Sequence, residues 1–139
     1  MKLAGFNFTK IVGERSNIKF EELKINSTLD LKEIKEISSD LIKTKEDLLG
    51  VRFFYSIEYS QKVAKIEFEG NIIISLDSKQ AKEILKEWDD KKVKSSFKEA
   101  IFNLILNKCN IKALQLEEEL GLPIHFKLPS IKIEEPKKD

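Results

Sequence analysis

At 139 residues, 41% hydrophobic and 35% charged, the chain is of one-domain size and globular rather than disordered, able to bury roughly two-thirds of its unfolded surface. Its net charge of +1 supplies no field to draw in nucleic acid or an anionic membrane, and with Arg15 and Arg52 as its arginines it is poor in the preferred fork for phosphates and guanine edges. Cys109 is the single cysteine, which excludes an intramolecular disulfide; with no apolar run suited to a signal peptide or a bilayer span, the expectation is a cytoplasmic protein that engages neither nucleic acid nor membrane.

In chain order, Phe6 and Phe8 alternate with Gly5, Asn7 and Thr9, which predicts a short strand ending at Ile11 or Val12. Gly13 to Asn17 is polar and predicts a turn or bulge. Ile18 and Phe20 resume the alternation, and Leu23, Ile25, Leu29 and Leu31 continue it after a phase shift near Glu21, as a second strand or a bent pair of strands. Between Leu31 and Leu48 the signal is mixed: Leu31, Ile34 and Ile37 have helical spacing, interrupted by Ser38, Ser39 and Asp40. Either a loop with a helical turn or a strand extension fits, and Gly50 is expected to open the next hairpin.

The strongest signal follows. Val51, Phe53, Tyr55, Ile57 and Tyr59 occupy every second position, and Ala64, Ile66, Phe68, Gly70, Ile72 and Ile74 do the same after Ser60-Gln61-Lys62. Two long antiparallel strands with a turn of about two residues are predicted, the second reaching roughly 40 Å. Phe54 and Ile73 point away from those apolar faces, so Arg52, Phe54, Ser56 and Glu58 describe a mixed second face.

The period then becomes helical. Asp77 or Ser78 can cap a helix with Gln80 completing the box, and Ala81, Ile84, Leu85 and Trp88 form its stripe. Asp89 to Lys94 ends it. Ser96 and Glu99 make a second capping-box pattern, opening a helix that stops at Gly121. Its apolar arc is wide: Phe97, Ala100, Ile101, Leu104 and Ile105 on one face, and Phe102, Leu106, Cys109, Ala113, Leu116 and Leu120 on the adjoining one. Pro123 and Pro129 then favour an extended arm from Leu122 to Pro129.

Groups for chemistry are sparse. His125 is the one histidine, the five glycines form no phosphate loop, and no metal-ligand spacing occurs. A His125–Cys109 pair has nothing to orient it, so the simpler reading is a partly exposed histidine beside Phe126 and a small core cysteine. Glu117, Glu118 and Glu119 read as a solvated helix face. The expectation is therefore no enzyme and no cofactor. The apolar excess is the better lead: an over-wide helix, a mixed second sheet face and an apolar arm predict self-association or a binding groove.

With its elements in this order, the sequence resembles the SecB family of export chaperones. Phe6-Asn7-Phe8-Thr9-Lys10-Ile11 followed by Ile18-Lys19-Phe20-Glu21 is similar to that family's first strand and its continuation. The pattern Asn103-(x)5-Cys109-Asn110-Ile111-Lys112-Ala113-Leu114, through Gly121-Leu122-Pro123 and Leu128-Pro129, is similar to SecB-like proteins of archaea. The resemblance implies an α+β fold, a SecB-like four-stranded antiparallel sheet with two C-terminal helices packed on one face. It also implies a dimer of dimers holding unfolded polypeptides without ATP.

On this basis residues 1–133 are expected to form a single SecB-like domain, with 134–139 a disordered tail. The expected polypeptide-binding residues are Phe54, Tyr55, Phe102, Ile124 and Phe126, and the expected oligomer interface is Phe6, Phe8, Ile84 and Trp88. The export chaperone is acidic where it meets its motor and can bind zinc through its tail. Here the net charge is +1 and Glu134 to Asp139 contains neither cysteine nor histidine, which favours a holding role over an export role. The alternatives are an adaptor or antitoxin-associated chaperone dedicated to one partner, and a small-ligand carrier or enzyme on the same scaffold.

Overall fold

The computed structural model describes residues 1–16, 24–37, 46–60 and 62–136. Four strands, β1 (Lys2–Arg15), β2 (Ile25–Ile37), β3 (Asp47–Tyr59) and β4 (Ala64–Leu76), precede two helices, α1 (Ser78–Asp89) and α2 (Ser95–Glu119). The strands form one antiparallel sheet in the order β1-β4-β3-β2, so β3 and β4 are central and β1 and β2 are its edges. Both helices pack on the same face, where they close a single apolar core. This is the α+β arrangement that the resemblance implies.

The predicted hairpin is present, with Val51, Phe53, Tyr55, Ile57 and Tyr59 facing Ile72, Gly70, Phe68, Ile66 and Ala64 across the ladder. All ten of these are buried, because central strands have a neighbour on each side and helices above. Two details differ from expectation. Tyr59 pairs with Ala64, so four residues, not about two, connect the strands, with Ser60 and Lys62 at positive φ. Gly50 does not open the hairpin but lies within β3. A Cβ there would stand 2.6 Å from Ile37 Cδ1, so the glycine makes room for a side chain from the edge strand.

Both edge strands run further than their alternation suggests, for one reason. β1 carries register shifts between Leu3 and Gly5 and between Phe8 and Lys10, and β2 carries one between Leu31 and Glu33. A bulge inserts one residue and converts two-residue spacing into three. Phe8 and Ile11 thus share the helix-side face, and so do Leu31 and Ile34. The helical spacing of Leu31 and Ile34 is therefore a bulged strand, the extension that was one of two readings. Gly13, expected in a turn, pairs with Ile66 beneath Leu116 and Leu120. The expected strand segments at Ile18, Phe20 and Leu23, and the Ser38-Ser39-Asp40 interruption, lie outside the described residues.

The helices start and stop by local chemistry. Asp77 caps α1, its side chain accepting from the Gln80 amide at 2.8 Å. Ala81 is buried, while Ile84, Leu85 and Trp88 are half-buried against the core. The Ser96–Glu99 box is not used: α2 begins at Ser95 with Lys94 as its N-cap and no side-chain cap bond. Glu87 of α1 instead accepts from the Lys94 amide at 3.4 Å and lies 3.7 Å from its ammonium, so the neighbouring helix sets this turn. At the far end Gly121 stops α2 as expected, at φ +63. The Leu122 amide donates to Glu117 O at 2.8 Å and the Gly121 amide to Glu118 O at 3.3 Å, the double closure of a Schellman end. Arg15, from the end of β1, donates through Nη1 to the Leu120 and Gly121 carbonyls at 2.8 and 2.7 Å. After Gly121 the chain enters no further helix or strand; it bends at His125 and Phe126, within the segment expected to be extended, and residues 127–136 are exposed.

Candidate functional site

The wide apolar arc of α2 resolves into a narrow buried stripe. Ile101, Ile105, Cys109, Ala113 and Glu117, each four residues from the last, have no measurable exposure. Four-residue steps keep side chains on nearly one line of a helix. Glu117 ends that line, and its burial overturns the reading of Glu117, Glu118 and Glu119 as a solvated face: Glu118 and Glu119 are exposed, Glu117 is not.

A buried carboxylate is stable only if its oxygens are satisfied. Here the Tyr59 hydroxyl, from the last position of β3, donates to Glu117 Oε2. The backbone N–H of His125 donates to the same oxygen at 2.8 Å. His125 Nδ1 lies 3.0 Å from both carboxylate oxygens, and its Nε2 lies 2.9 Å from Asn110 Oδ1. Both ring nitrogens are thus within hydrogen-bond reach of a polar partner. The His125 side chain is 4% exposed, so it is not the partly exposed histidine of the simpler reading, although Phe126 does lie beside it. Its ring meets Phe126 edge-on at 4.8 Å and Tyr55 at 6.4 Å.

Burial raises the pKa of Tyr59, and its hydrogen bond to Glu117 raises it further. Burial also raises the Tyr55 phenol, opposed by a hydrogen bond with Ser27. The Cys109 thiol is pushed up to about 12 by burial, so it is an inert core group, as the simpler reading expected. Glu117, Tyr59, His125 and Asn110 thus form a closed polar cluster that pins the segment after α2 to the core.

The five expected polypeptide-binding residues do not share one surface. Phe54 lies on the sheet face away from the helices, half-buried, with the Lys32 ammonium 5.6 Å from its ring centroid. Tyr55 points the opposite way; it is 2% exposed and stacks on Phe68 at 6.3 Å, so with the arm in place it is closed to any ligand. Ile124 and Phe126 flank His125 on the arm, Ile124 exposed and Phe126 half-buried. Phe102 is half-buried on α2, and by spacing it shares a line with Leu106 and Asn110, the residue that meets His125. The structure therefore brings Phe126 and the buried Tyr55 to His125, beside Ile124, and leaves Phe54 on the opposite face of the sheet.

Of the residues expected at an oligomer interface, Phe6 and Phe8 sit on edge strand β1. They meet edge-on at 5.0 Å, with Phe6 stacked on Phe53 at 5.5 Å and Phe8 5.2 Å from Phe68. Each is half-buried, as are Ile84 and Trp88. The same edge leaves Leu3 and Ile11 exposed.

Sequence reasoning missed Glu117 and its contact to Tyr59. A signal was present: the spacing that links Ile101, Ile105, Cys109 and Ala113 reaches Glu117 at the next step. Elsewhere, a cleft of about 870 Å³ at the end of the sheet is lined by charges of both signs, among them Glu14, Arg15, Glu58 and Lys65. A smaller one of about 310 Å³ lies between the helices, lined by Leu76, Ile84 and Phe97. Among the described residues no group of three or more His, Cys, Asp or Glu side chains could hold a metal ion, and no helix is long and apolar enough to cross a membrane.

Comparison of the sequence with protein-family profiles finds no match, and comparison with curated proteins finds none either. Among solved structures the fold is similar to a SecB-like chaperone of Mycobacterium tuberculosis, determined in complex with a ChAD peptide from the HigA1 antitoxin. The TM-score is 0.49 and the identity 10%, over 95% of this chain and 92% of that one.

Proposed function

We propose that the chain is an ATP-independent polypeptide-binding protein, a holdase for unfolded or non-native chains, acting as a homo-oligomer in the cytoplasm and not as an enzyme. One observation carries this reading. Leu122 enters the core, but past it Ile124, Leu128, Ile131 and Ile133 stay 38, 43, 90 and 88% exposed. Exposed apolar residues concentrated on one segment suit contact with another chain better than chemistry on a small molecule. The β1 edge, with Leu3 and Ile11 exposed beside Phe6 and Phe8, is the surface proposed for self-association, with residues 1–133 as the folded unit. Phe54, Phe102, Ile124 and Phe126 are the proposed client contacts.

The test is titration of a permanently denatured protein against the purified chain at low and high salt. Burial of apolar surface is the expected driving force, so binding persists as salt rises, because screening acts on exposed charges. It needs no nucleotide and weakens when Phe54 is replaced by serine in a variant that stays folded. No complex at tens of micromolar rejects a general holding role and leaves an adaptor for one dedicated partner.

A further inference from the structure

The arm is held differently from everything else in the core. Its inward contacts are the buried Leu122, the His125 amide and the His125 ring, and the last two converge on one carboxylate. Pro123 has no N–H to give, and the segment belongs to no helix or strand, so a chain without regular structure can take its place. Beneath it lie the Tyr55 ring and the Asn110 amide. We propose that the space between α2 and β3 under this arm is a peptide-acceptor site closed in cis, with Leu122–Phe126 as its resident occupant. Its exchange partner is an extended client segment that presents a backbone N–H and an adjacent imidazole or amide N–H between apolar residues. This deepens the polypeptide-binding reading and rests on it.

The physical reason is Glu117. With the arm seated, its oxygens receive the Tyr59 hydroxyl, the His125 amide and His125 Nδ1. With the arm displaced, a carboxylate that has no exposure in the closed form keeps one donor, Tyr59. Leaving the rest unmet is costly, so the open site favours a replacement with the same donors over no occupant. The same step uncovers Tyr55, which supplies an aromatic wall to that replacement. A site occupied by its own chain binds weakly in trans, because its apparent affinity is scaled down by the fraction of molecules that are open. Loosening the arm removes that penalty.

The experiment uses the full chain and a fluorescently labelled synthetic peptide with the sequence Gly-Leu-Pro-Ile-His-Phe-Lys-Leu, acetylated and amidated. Hydrogen exchange over residues 121–128 reports the arm, and anisotropy reports the peptide. The expected result for His125→Ala is arm exchange faster by about tenfold or more and peptide affinity higher than wild type by a similar factor. A peptide with alanine in place of histidine loses most of that gain. Should His125→Ala fail to fold, Leu122→Ala weakens the arm at its other inward contact and leaves the acceptor residues Glu117, Tyr59 and Asn110 intact. Faster arm exchange with no gain in peptide affinity overturns the proposal, and so does unchanged arm exchange in a folded variant. Denatured-protein binding by the wild-type chain is a separate readout: if it persists while the variants gain nothing for the peptide, the cis-closed site fails and the holding role stands. If the wild-type chain binds no denatured protein and the variants bind no peptide, both readings fail.

Discussion

The β3–β4 hairpin is held by thirteen paired positions and a continuous face of buried rings and branched side chains, whereas the arm from Leu122 to Phe126 is held by one carboxylate, one amide, one buried leucine and the edge of Tyr55. In the hairpin the attachment is spread over many contacts, none of which decides the outcome alone. In the arm it is concentrated, and every polar contact passes through Glu117 or Asn110. The contrast teaches that one core can contain a part that opens only with global unfolding and a part that can open by itself.

The largest effect should come from breaking the hairpin side. Phe68 is fully buried between Phe8 and Tyr55. Phe68→Ala should cost about 3–5 kcal/mol and shift the whole denaturation curve, arm and sheet together. Urea unfolding followed by circular dichroism and by exchange of the arm amides checks this; separate transitions would contradict it.

Raising the pH should have the next largest effect, acting first on the core. The Cys109 thiol ionises near 9.0 in a free chain and at about 12 in the folded one. Folded protein therefore holds this proton more tightly, and the stability so gained is complete below pH 9 and is lost as pH rises towards 12. The slope is at most about 1.4 kcal/mol per pH unit for this group. The tyrosines Tyr55 and Tyr59, also raised by burial, add to the loss above pH 10. Melting temperatures between pH 8 and 11 should fall, and fall less steeply in Cys109→Ala; equal slopes would remove the thiol from the account.

The smallest effect is the most local. Tyr59→Phe removes one donor from Glu117 and leaves both contributions of the arm, at a cost of about 1–2 kcal/mol. It should quicken arm exchange more than exchange in β4. Uniform quickening would mean that the arm is not a separate unit.

Most of this contrast was legible on the hairpin side alone. Alternation from Val51 to Tyr59 and from Ala64 to Ile74 marked the central strands, because a residue flanked by two strands and covered by helices must be apolar whatever its partner. At the edges the same rule failed at the bulges, where one inserted residue made Leu31 and Ile34 look helical and ended the apparent first strand before Gly13. The cluster was less legible still. A run of three glutamates looks solvated, and only the four-residue stripe from Ile101 singles out Glu117 from its neighbours.

Period, caps and stops were thus determined by the sequence itself: the hairpin, Asp77 at the start of α1 and Gly121 at the end of α2 follow from contacts within a few residues. Only the tertiary structure decided that Glu87 would replace the Ser96 cap, that Gly50 would admit Ile37, and that Tyr59 and His125 would meet on Glu117. Those pairs lie 7 to 58 residues apart. Tyr59 and Glu117 come together only once α2 lies across the sheet, and local spacing cannot encode the direction from which a distant donor will arrive.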